Sequence, residues 1–196
     1  MMPDAIANSI TNTTPNSCVF AQCDRIGKPW KLSDDGISFM AVCESGVLNG
    51  TYMGMPVVDG MILKVYVDSK GYPTVGFGHK IVPSDHLRVG QTISIERARE
   101  LSKKNKVECE SAVNRRIMVP LHQYEYDALV SIAFNAGIGQ GIAELVKRVN
   151  SGEYGTLPDY IRAYRSSGIE WRRSLEARLF ATGNYDARHG RGIDVE

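Results

Sequence analysis

The sequence predicts an α+β fold: a small strand-rich lobe joined by a long helix to an all-helical lobe, with a cleft between the lobes. Three observations predict it. Glycines at 50, 54, 60, 71, 76 and 78 punctuate runs of Val, Ile, Tyr and Thr, as short strands with tight turns require. From about residue 93 onward the apolar residues recur at helical spacing. The chain has 196 residues, 43% hydrophobic and 23% charged, which is enough apolar material for one globular domain or two small lobes.

The elements follow in order. Residues 1–31 read as an N-terminal extension, rich in Asn, Thr, Ser and Pro and without helical period. The folded domain is expected over 32–188, with 189–196 as a tail. Ser33 is a plausible N-cap, and Asp34 and Asp35 suit the positive end of a helix that stops near Gly46. Ile37, Met40 and Ala41 mark its buried face. VLNGTYMGMPVVDG reads as a hairpin with Asn49-Gly50 as the turn. MILKVYVD, SKGYP and TVGFGH then read as strand, turn and strand. Ser94 caps a long helix running to about Ile117, and Pro120 breaks it. YEYDALVSIAFNAG is apolar on nearly every face in its second half, as a central buried helix is, with Asn135 and Gly137 at its end. Residues 142–150, a short segment opened by Pro158, and Glu170–Ala181 stopped by Gly183 complete the helices.

Composition excludes several functions. Net charge is +1 and apolar content is ordinary, so the chain is not disordered. No stretch approaches 18 uninterrupted apolar residues, so no membrane-spanning helix is expected. Residues 1–60 carry three basic and six acidic residues, and the remainder carries 20 and 16. The mildly basic remainder reads as solvated helix faces. Lys103-Lys104-Asn105-Lys106 is interrupted by Glu108 and Glu110 and lacks aromatic partners, so nucleic acid is not an expected partner. Cys18, Cys23, Cys43 and Cys109 do not form a disulfide scaffold, and Cys18 and Cys23 are either free thiols or one local disulfide. Their spacing does not suit zinc, and the four His are scattered, so no metal and no cofactor are expected. The first 18 residues lack an apolar core segment, so no signal peptide is expected. That implies synthesis in the cytoplasm and release by lysis or a dedicated secretion route.

Three residues stand out chemically. Glu44 ends the first helix, Asp68 ends a strand before a Gly turn, and Thr74 opens the return strand. Two carboxyl groups converging where a helix meets a hairpin suit glycoside hydrolysis. That reaction needs one protonated acid at the leaving oxygen and one carboxylate for water or nucleophilic attack. Each also has a plain structural reading, Asp68 as a turn residue and Glu44 as a helix-end residue.

The segment KVYVDSKGYPTVGFGH (64–79) resembles the sheet of phage-type lysozymes, glycoside hydrolase family 24, whose pattern is K-x-Y-x-D-x-x-G-x-x-T-x-G-x-G-H. The matches are Lys64, Tyr66, Asp68, Gly71, Thr74, Gly76, Gly78 and His79. LSDDGISFMAVCESG resembles the family's opening helix, which ends in the catalytic Glu followed by Gly. YDALVSIAFNAGIG (126–139) resembles its central helix and GIEWRRSLEARLF (168–180) its closing Arg-Arg-x-x-Glu helix. The four blocks stand in the family order over residues 32–186.

The family signature is Glu, eight residues, Asp, five residues, Thr. Asp68 and Thr74 fit the second interval, but 23 residues separate Glu44 from Asp68. Asp59 stands at the family spacing from Asp68, with Gly60 after it. Glu44 is preferred as the acid because its helix matches from Leu32 onward. Residues 47–61 then form an insertion, with Asp59 a turn residue within it. The resemblance implies a muramidase that cuts the β-1,4 bond between N-acetylmuramic acid and N-acetylglucosamine in peptidoglycan. Glu44 would protonate the leaving oxygen, while Asp68 with Thr74 would activate a water on the other face, with inversion. It further implies sugar contacts by Lys80, Phe134 and Asn135. His79 is read as structural, paired with a carboxylate on the long helix, and Arg172 and Arg173 as structural. A monomer is expected, acting in the periplasm or cell wall of a target bacterium as a phage endolysin or an antibacterial toxin domain. In the toxin setting an inhibitor or immunity protein would fill the cleft. The alternative reading is a non-catalytic peptidoglycan-binding or structural module on the same fold.

Overall fold

The computed structural model describes residues 25–104 and 106–188. Cys18, Cys23, His189 and the expected tail lie outside the described residues. The chain forms two compact units, one combining the chain up to Ser33 with Glu108–Asn184, the other combining Asp34–Val107 with the chain from Tyr185.

The second unit holds the strands. It opens with α1 (Asp34–Ser45), which buries Ile37, Phe39, Met40, Ala41 and Val42. Asp34 in its first turn meets Lys103 at 2.8 Å. Gly46 ends the helix at φ +77°, its N–H donating to the Val42 carbonyl at 2.7 Å. Five antiparallel strands follow in sequential order: β1 (Gly50–Tyr52), β2 (Met55–Val58), β3 (Met61–Val67), β4 (Pro73–Gly76) and β5 (His79–Lys80).

The first hairpin forms as expected, but its turn is Met53-Gly54 rather than Asn49-Gly50. Both turn residues are left-handed, at φ +50° and +73°, the geometry that matches strand twist in a two-residue loop. Asn49 does other work: its side-chain oxygen accepts the Asp59 N–H at 3.0 Å. Asp59-Gly60 (φ +49° and +79°) is a second two-residue turn and pairs Val58 with Met61. Gly60 is obligatory there, since a Cβ would stand 2.8 Å from the Ala41 Cβ and 3.0 Å from the Val42 nitrogen.

The single helix expected from Ser94 to Ile117 is instead two, α2 (Ile95–Lys104) and α3 (Val107–Arg116). Ser94 does cap α2, its Oγ accepting the Arg97 N–H at 3.2 Å. The break comes where Lys106 turns inward and is 1% exposed, with its Nζ 4.1 Å from the centre of the Phe77 ring. A buried, ring-bound ammonium was invisible in a run of lysines that read as a solvated face. Val65, Val75 and Leu101 form the core between sheet and α2, flanked by Ile81, Leu87 and Ile93.

The helical unit contains α3, α4 (Gln123–Ala136), α5 (Ala143–Asn150), α6 (Leu157–Ala163) and α7 (Glu170–Thr182). α4 is its centre, buried from Glu125 through Ala133. Gly137 and Gly183 end α4 and α7 as expected. Residues 25–31, read as extension on composition, pack against this unit. Arg25 holds Glu125 at 2.8 Å, Ile26 bridges Leu121, and Trp30 is 3% exposed against the Tyr126 ring. An irregular segment has no period to read, so only its tertiary contacts reveal it. Cys43 and Cys109 are buried.

Candidate active site

Asp68 follows the last residue of β3, where the chain turns through Ser69–Tyr72 into β4. Its Oδ1 accepts the Lys70 and Tyr72 N–H groups at 2.9 and 2.8 Å. Its backbone N–H donates to the Tyr72 carbonyl at 2.9 Å, and Gly71 donates back to the Asp68 carbonyl at 2.9 Å. The turn thus fixes the carboxylate on one oxygen and leaves Oδ2 facing Thr74, whose Oγ1 lies 3.5 Å away. The Tyr72 N–H, that of Lys70, the nearby charge of Lys80 and the Thr74 hydroxyl outweigh desolvation and hold the Asp68 carboxyl below the usual range. The hydrogen bonds that close the turn also keep the carboxylate ionised and oriented.

Thr74 is buried, and its hydroxyl donates to the Tyr72 carbonyl at 3.0 Å. Tyr66 stands opposite Thr74, and Thr74 opposite Lys80, so the three share one face of the sheet. The exposed Lys80 extends its Nζ to 3.9 Å from the centre of the Tyr72 ring. Glu44 lies in the last turn of α1 and is exposed, in the same unit as Asp68.

Asp59 is engaged elsewhere. Its carboxylate takes a 2.5 Å contact from the Arg99 guanidinium on α2. It lines a cavity of about 380 Å³ with Phe39, Val42, Arg99, Tyr185 and Arg188, to which neither Asp68 nor Thr74 contributes.

His79 is buried and structural as expected, but its partner is not on a helix of the expected long segment. Nε2 meets Asp85 Oδ2 at 2.8 Å, on a 3-10 turn (Pro83–Asp85). Burial pushes the Asp85 carboxyl up, but the Val82 N–H and the His79 ring outweigh it and hold it below its ordinary value. In the helical unit, Phe134 is half-buried and Asn135 exposed near the end of α4. The Asn135 side-chain oxygen accepts from Arg173 Nη2 at 2.8 Å. Arg173 also donates to the Tyr164 carbonyl at 2.7 Å and to Glu176. Arg172 meets the other Glu176 oxygen at 3.2 Å, and Ser131 donates to it at 2.7 Å. The Arg-Arg-x-x-Glu pattern is thus one buried network within its own unit. Among the described residues, no group of three or more His, Cys, Asp or Glu is arranged to hold a metal ion.

Tyr72 was not singled out in the sequence, and Tyr66 was matched to the family pattern without a role. The signal was present: Tyr66 precedes Asp68 by two residues, and alternation along a strand keeps such pairs on one side.

The α+β fold with its glycine-punctuated β3–β4 hairpin is that of the lysozyme class of glycosidases. The family model for phage lysozyme matches residues 57–179, and the chain belongs to that family. The chain is therefore a lysozyme. It is 36% identical over 129 residues to the endolysin of Salmonella phage P22, a match covering 62% of this chain and 88% of that one. It is 29% identical over 133 residues to the endolysin of Acyrthosiphon pisum secondary endosymbiont phage 1, with the same coverage. Among solved structures, the endolysin from Escherichia coli O157:H7 phage FAHEc1 superposes with a TM-score of 0.61 at 26% identity, covering 82% of this chain and 99% of that one. A P22 lysozyme variant superposes with a TM-score of 0.60 at 29% identity, covering 78% and 99%. The family match takes in Asp59, Asp68 and Thr74 and begins after Glu44.

Proposed function

We propose that this lysozyme, a muramidase acting on peptidoglycan, uses Glu44 as general acid and Asp68 as general base, with Thr74 orienting the attacking water. The single observation that carries the reading is the asymmetric anchoring of Asp68: Oδ1 is held by two backbone N–H groups, while Oδ2 faces Thr74. An ionised carboxylate fixed in this way can take a proton from water without reorienting. Single displacement on the β-1,4 bond between N-acetylmuramic acid and N-acetylglucosamine then releases an α-anomer.

The choice of Glu44 over Asp59 is supported by position. Asp59 is the tip of a two-residue turn and its carboxylate is bound by Arg99, whereas Glu44 projects from a helix end without a place in a turn. The family spacing supports the other choice, so both are tested in parallel. Glu44→Gln should lower the rate of release from purified peptidoglycan by about 10²–10⁴-fold, with an unchanged circular dichroism spectrum. Asp59→Asn should stay within a few-fold of wild type. A folded, active Glu44→Gln protein beside an inactive Asp59→Asn protein would move the acid to Asp59. A folded wild-type protein that releases nothing from purified peptidoglycan would support the non-catalytic reading.

Lys80 on β5 and Phe134 and Asn135 on α4 are proposed as sugar contacts on the strength of the family resemblance. The exposed Lys80 beside the Tyr72 ring supports its part. The four curated relatives, all phage endolysins, support a role in wall lysis at the end of phage growth over a toxin role. A monomer acting on the wall of the bacterium in which it is made is the corresponding reading. Co-purification with a tightly bound inhibitor protein would favour the toxin setting instead. Among the described residues no helix is long and apolar enough to cross a membrane.

A further inference from the structure

The cavity of about 380 Å³ that Asp59 lines is built wholly within the strand-bearing unit, and no residue of the Asp68 turn enters it. One wall is a single face of α1, where Asp35, Ser38, Phe39 and Val42 recur at helical spacing. Phe39 and Val42 are buried and give an apolar floor, which the half-buried Leu48 and Tyr185 extend. The charged groups around that floor are mostly paired with one another. Arg99 on α2 holds Asp59, and Arg188 grips Asp186 through two N–H groups at 2.8 Å each. Two groups are left over. Asp35 is exposed in the first turn of α1 and has no ion-pair partner among the described residues. The Arg99 Nε is buried and, among the described residues, lacks a hydrogen-bond partner. A buried donor without an acceptor is costly to keep, and at the edge of a cavity it marks a place where an acceptor from outside the chain fits.

We propose that this cavity binds a short peptide end that carries both a free ammonium and a free carboxylate, the ammonium at Asp35 and the carboxylate at Arg99. The charge set selects such a ligand. Asp35, Asp59 and Asp186 outnumber Arg99 and Arg188, so a ligand that is only an anion meets net repulsion. A ligand that is only a cation pairs with Asp35 and leaves the Arg99 Nε without its acceptor. A neutral sugar offers Asp35 no opposite charge. A zwitterionic end answers both groups, and its aliphatic stem lies on Phe39, Val42 and Leu48. The volume stands at the small end of ligand sites, which span roughly 300–1,000 Å³, so it suits a few residues of peptide rather than a folded partner. Peptidoglycan supplies this chemistry in its peptide arms, whereas its N-acetylated glycan carries no cation. The muramidase reading is what names the wall as the source, and the proposal rests on that reading for the source alone. A peptide arm held here gives the unit that carries Asp68 a second hold on the same polymer, away from the bond that is cut.

The test has a binding arm and a kinetic arm. The tripeptide L-Ala-γ-D-Glu-meso-diaminopimelate is titrated by calorimetry into wild type, Asp35→Asn and Leu48→Trp, each checked for fold by circular dichroism. The same tripeptide with its amines acetylated and its carboxyls amidated is the charge control, and L-Ala-L-Lys is the control for source. Wild type should bind the wall tripeptide, bind L-Ala-L-Lys more weakly and ignore the blocked tripeptide. Asp35→Asn should lose about 2- to 5-fold in affinity, the worth of an exposed ion pair. Leu48→Trp, which fills the cavity, should abolish binding. On wall glycan with its peptide arms intact, Leu48→Trp should raise KM with kcat nearly unchanged, the pattern of lost ground-state binding. On glycan stripped of its peptides it should match wild type. Binding of the blocked tripeptide as tight as that of the charged one, or full affinity in a folded Leu48→Trp protein, would overturn the site. Equal binding of L-Ala-L-Lys would overturn the wall as its source. A wild type that cleaves peptidoglycan but binds no peptide would overturn the site and leave the muramidase reading standing. One that binds the tripeptide but cleaves nothing would do the reverse.

Discussion

Asp68→Asn separates the two roles that Asp68 combines. The substitution keeps the side chain's shape and a carbonyl-type oxygen at the position of Oδ1. The Lys70 and Tyr72 N–H groups, now at 2.9 and 2.8 Å, therefore keep an acceptor and the turn keeps its closure. What is removed is the negative charge and the basic oxygen opposite Thr74. The fold should survive, and the unfolding midpoint near neutral pH should move little, because the site is solvated. The chemical step should slow by about 10²–10⁴-fold, the usual worth of a positioned base. Release of soluble fragments from dye-labelled peptidoglycan measures the rate, and circular dichroism confirms the fold. The pH profile supplies an independent check. The Tyr72 and Lys70 amides, the Lys80 charge and the Thr74 hydroxyl hold Asp68 below the ordinary aspartate value of about 3.9. The acid limb of kcat/KM for wild type should therefore fall below that pH. By linkage, whatever stability Asp68 contributes is present above its unfolded-state pKa and is lost as pH falls through the lower folded-state value. A folded Asp68→Asn protein that clears peptidoglycan within threefold of wild type would refute the role of Asp68 as base. An acid limb lying above the ordinary aspartate value would refute the electrostatic account of the turn.

Two further predictions concern stability. Glu176 is fully buried and receives Arg172, Arg173 and Ser131, so Glu176→Ala strands two buried guanidinium groups and should cost about 3–5 kcal/mol. Calorimetry should show the unfolding midpoint lowered by roughly 6–20 °C, and a shift of only a degree or two would show that the network is dispensable. Gly60→Ala places a Cβ against the α1 backbone at a left-handed φ, and should cost about 2–4 kcal/mol in urea unfolding. If that variant were as stable as wild type, α1 would not pack on the β2–β3 turn as the structure has it.

Much of the fold was legible from local chemistry. Asp34 and Asp35 before an apolar face, and Gly46 after it, delimited α1 because capping and dipole effects act within one turn of the chain. The β3–turn–β4 segment was readable because Asp68, Gly71 and Thr74 close that turn with their own neighbours. Gly137 and Gly183 marked helix ends for the same reason. The approach of Thr74 to Asp68 was legible to the same extent, since the two lie six residues apart about one turn and their relation is almost a local property.

The choice between Glu44 and Asp59 was of another kind. Both candidates satisfied local rules, and the pairing of Asp59 with Arg99, forty residues away on α2, was not readable from either. The partner of His79 was misplaced because the 3-10 turn at Pro83–Asp85, rather than a helix, presents Asp85 to it. The supposed long helix was divided at Lys106 because its buried ammonium lies over Phe77, a residue of the preceding sheet segment. Residues 25–31 were read as extension because Arg25 and Trp30 find their partners at Glu125 and Tyr126, about a hundred positions away. By itself, then, the sequence determined most of the helices and strands and the Asp68 turn. Each of these is stabilised by hydrogen bonds and dihedral preferences among near neighbours. Only the tertiary structure decided which charged side chains are buried, which turn closes the first hairpin, and that Asp59 meets Arg99. Those outcomes depend on desolvation and on partners that only the folded chain brings within reach.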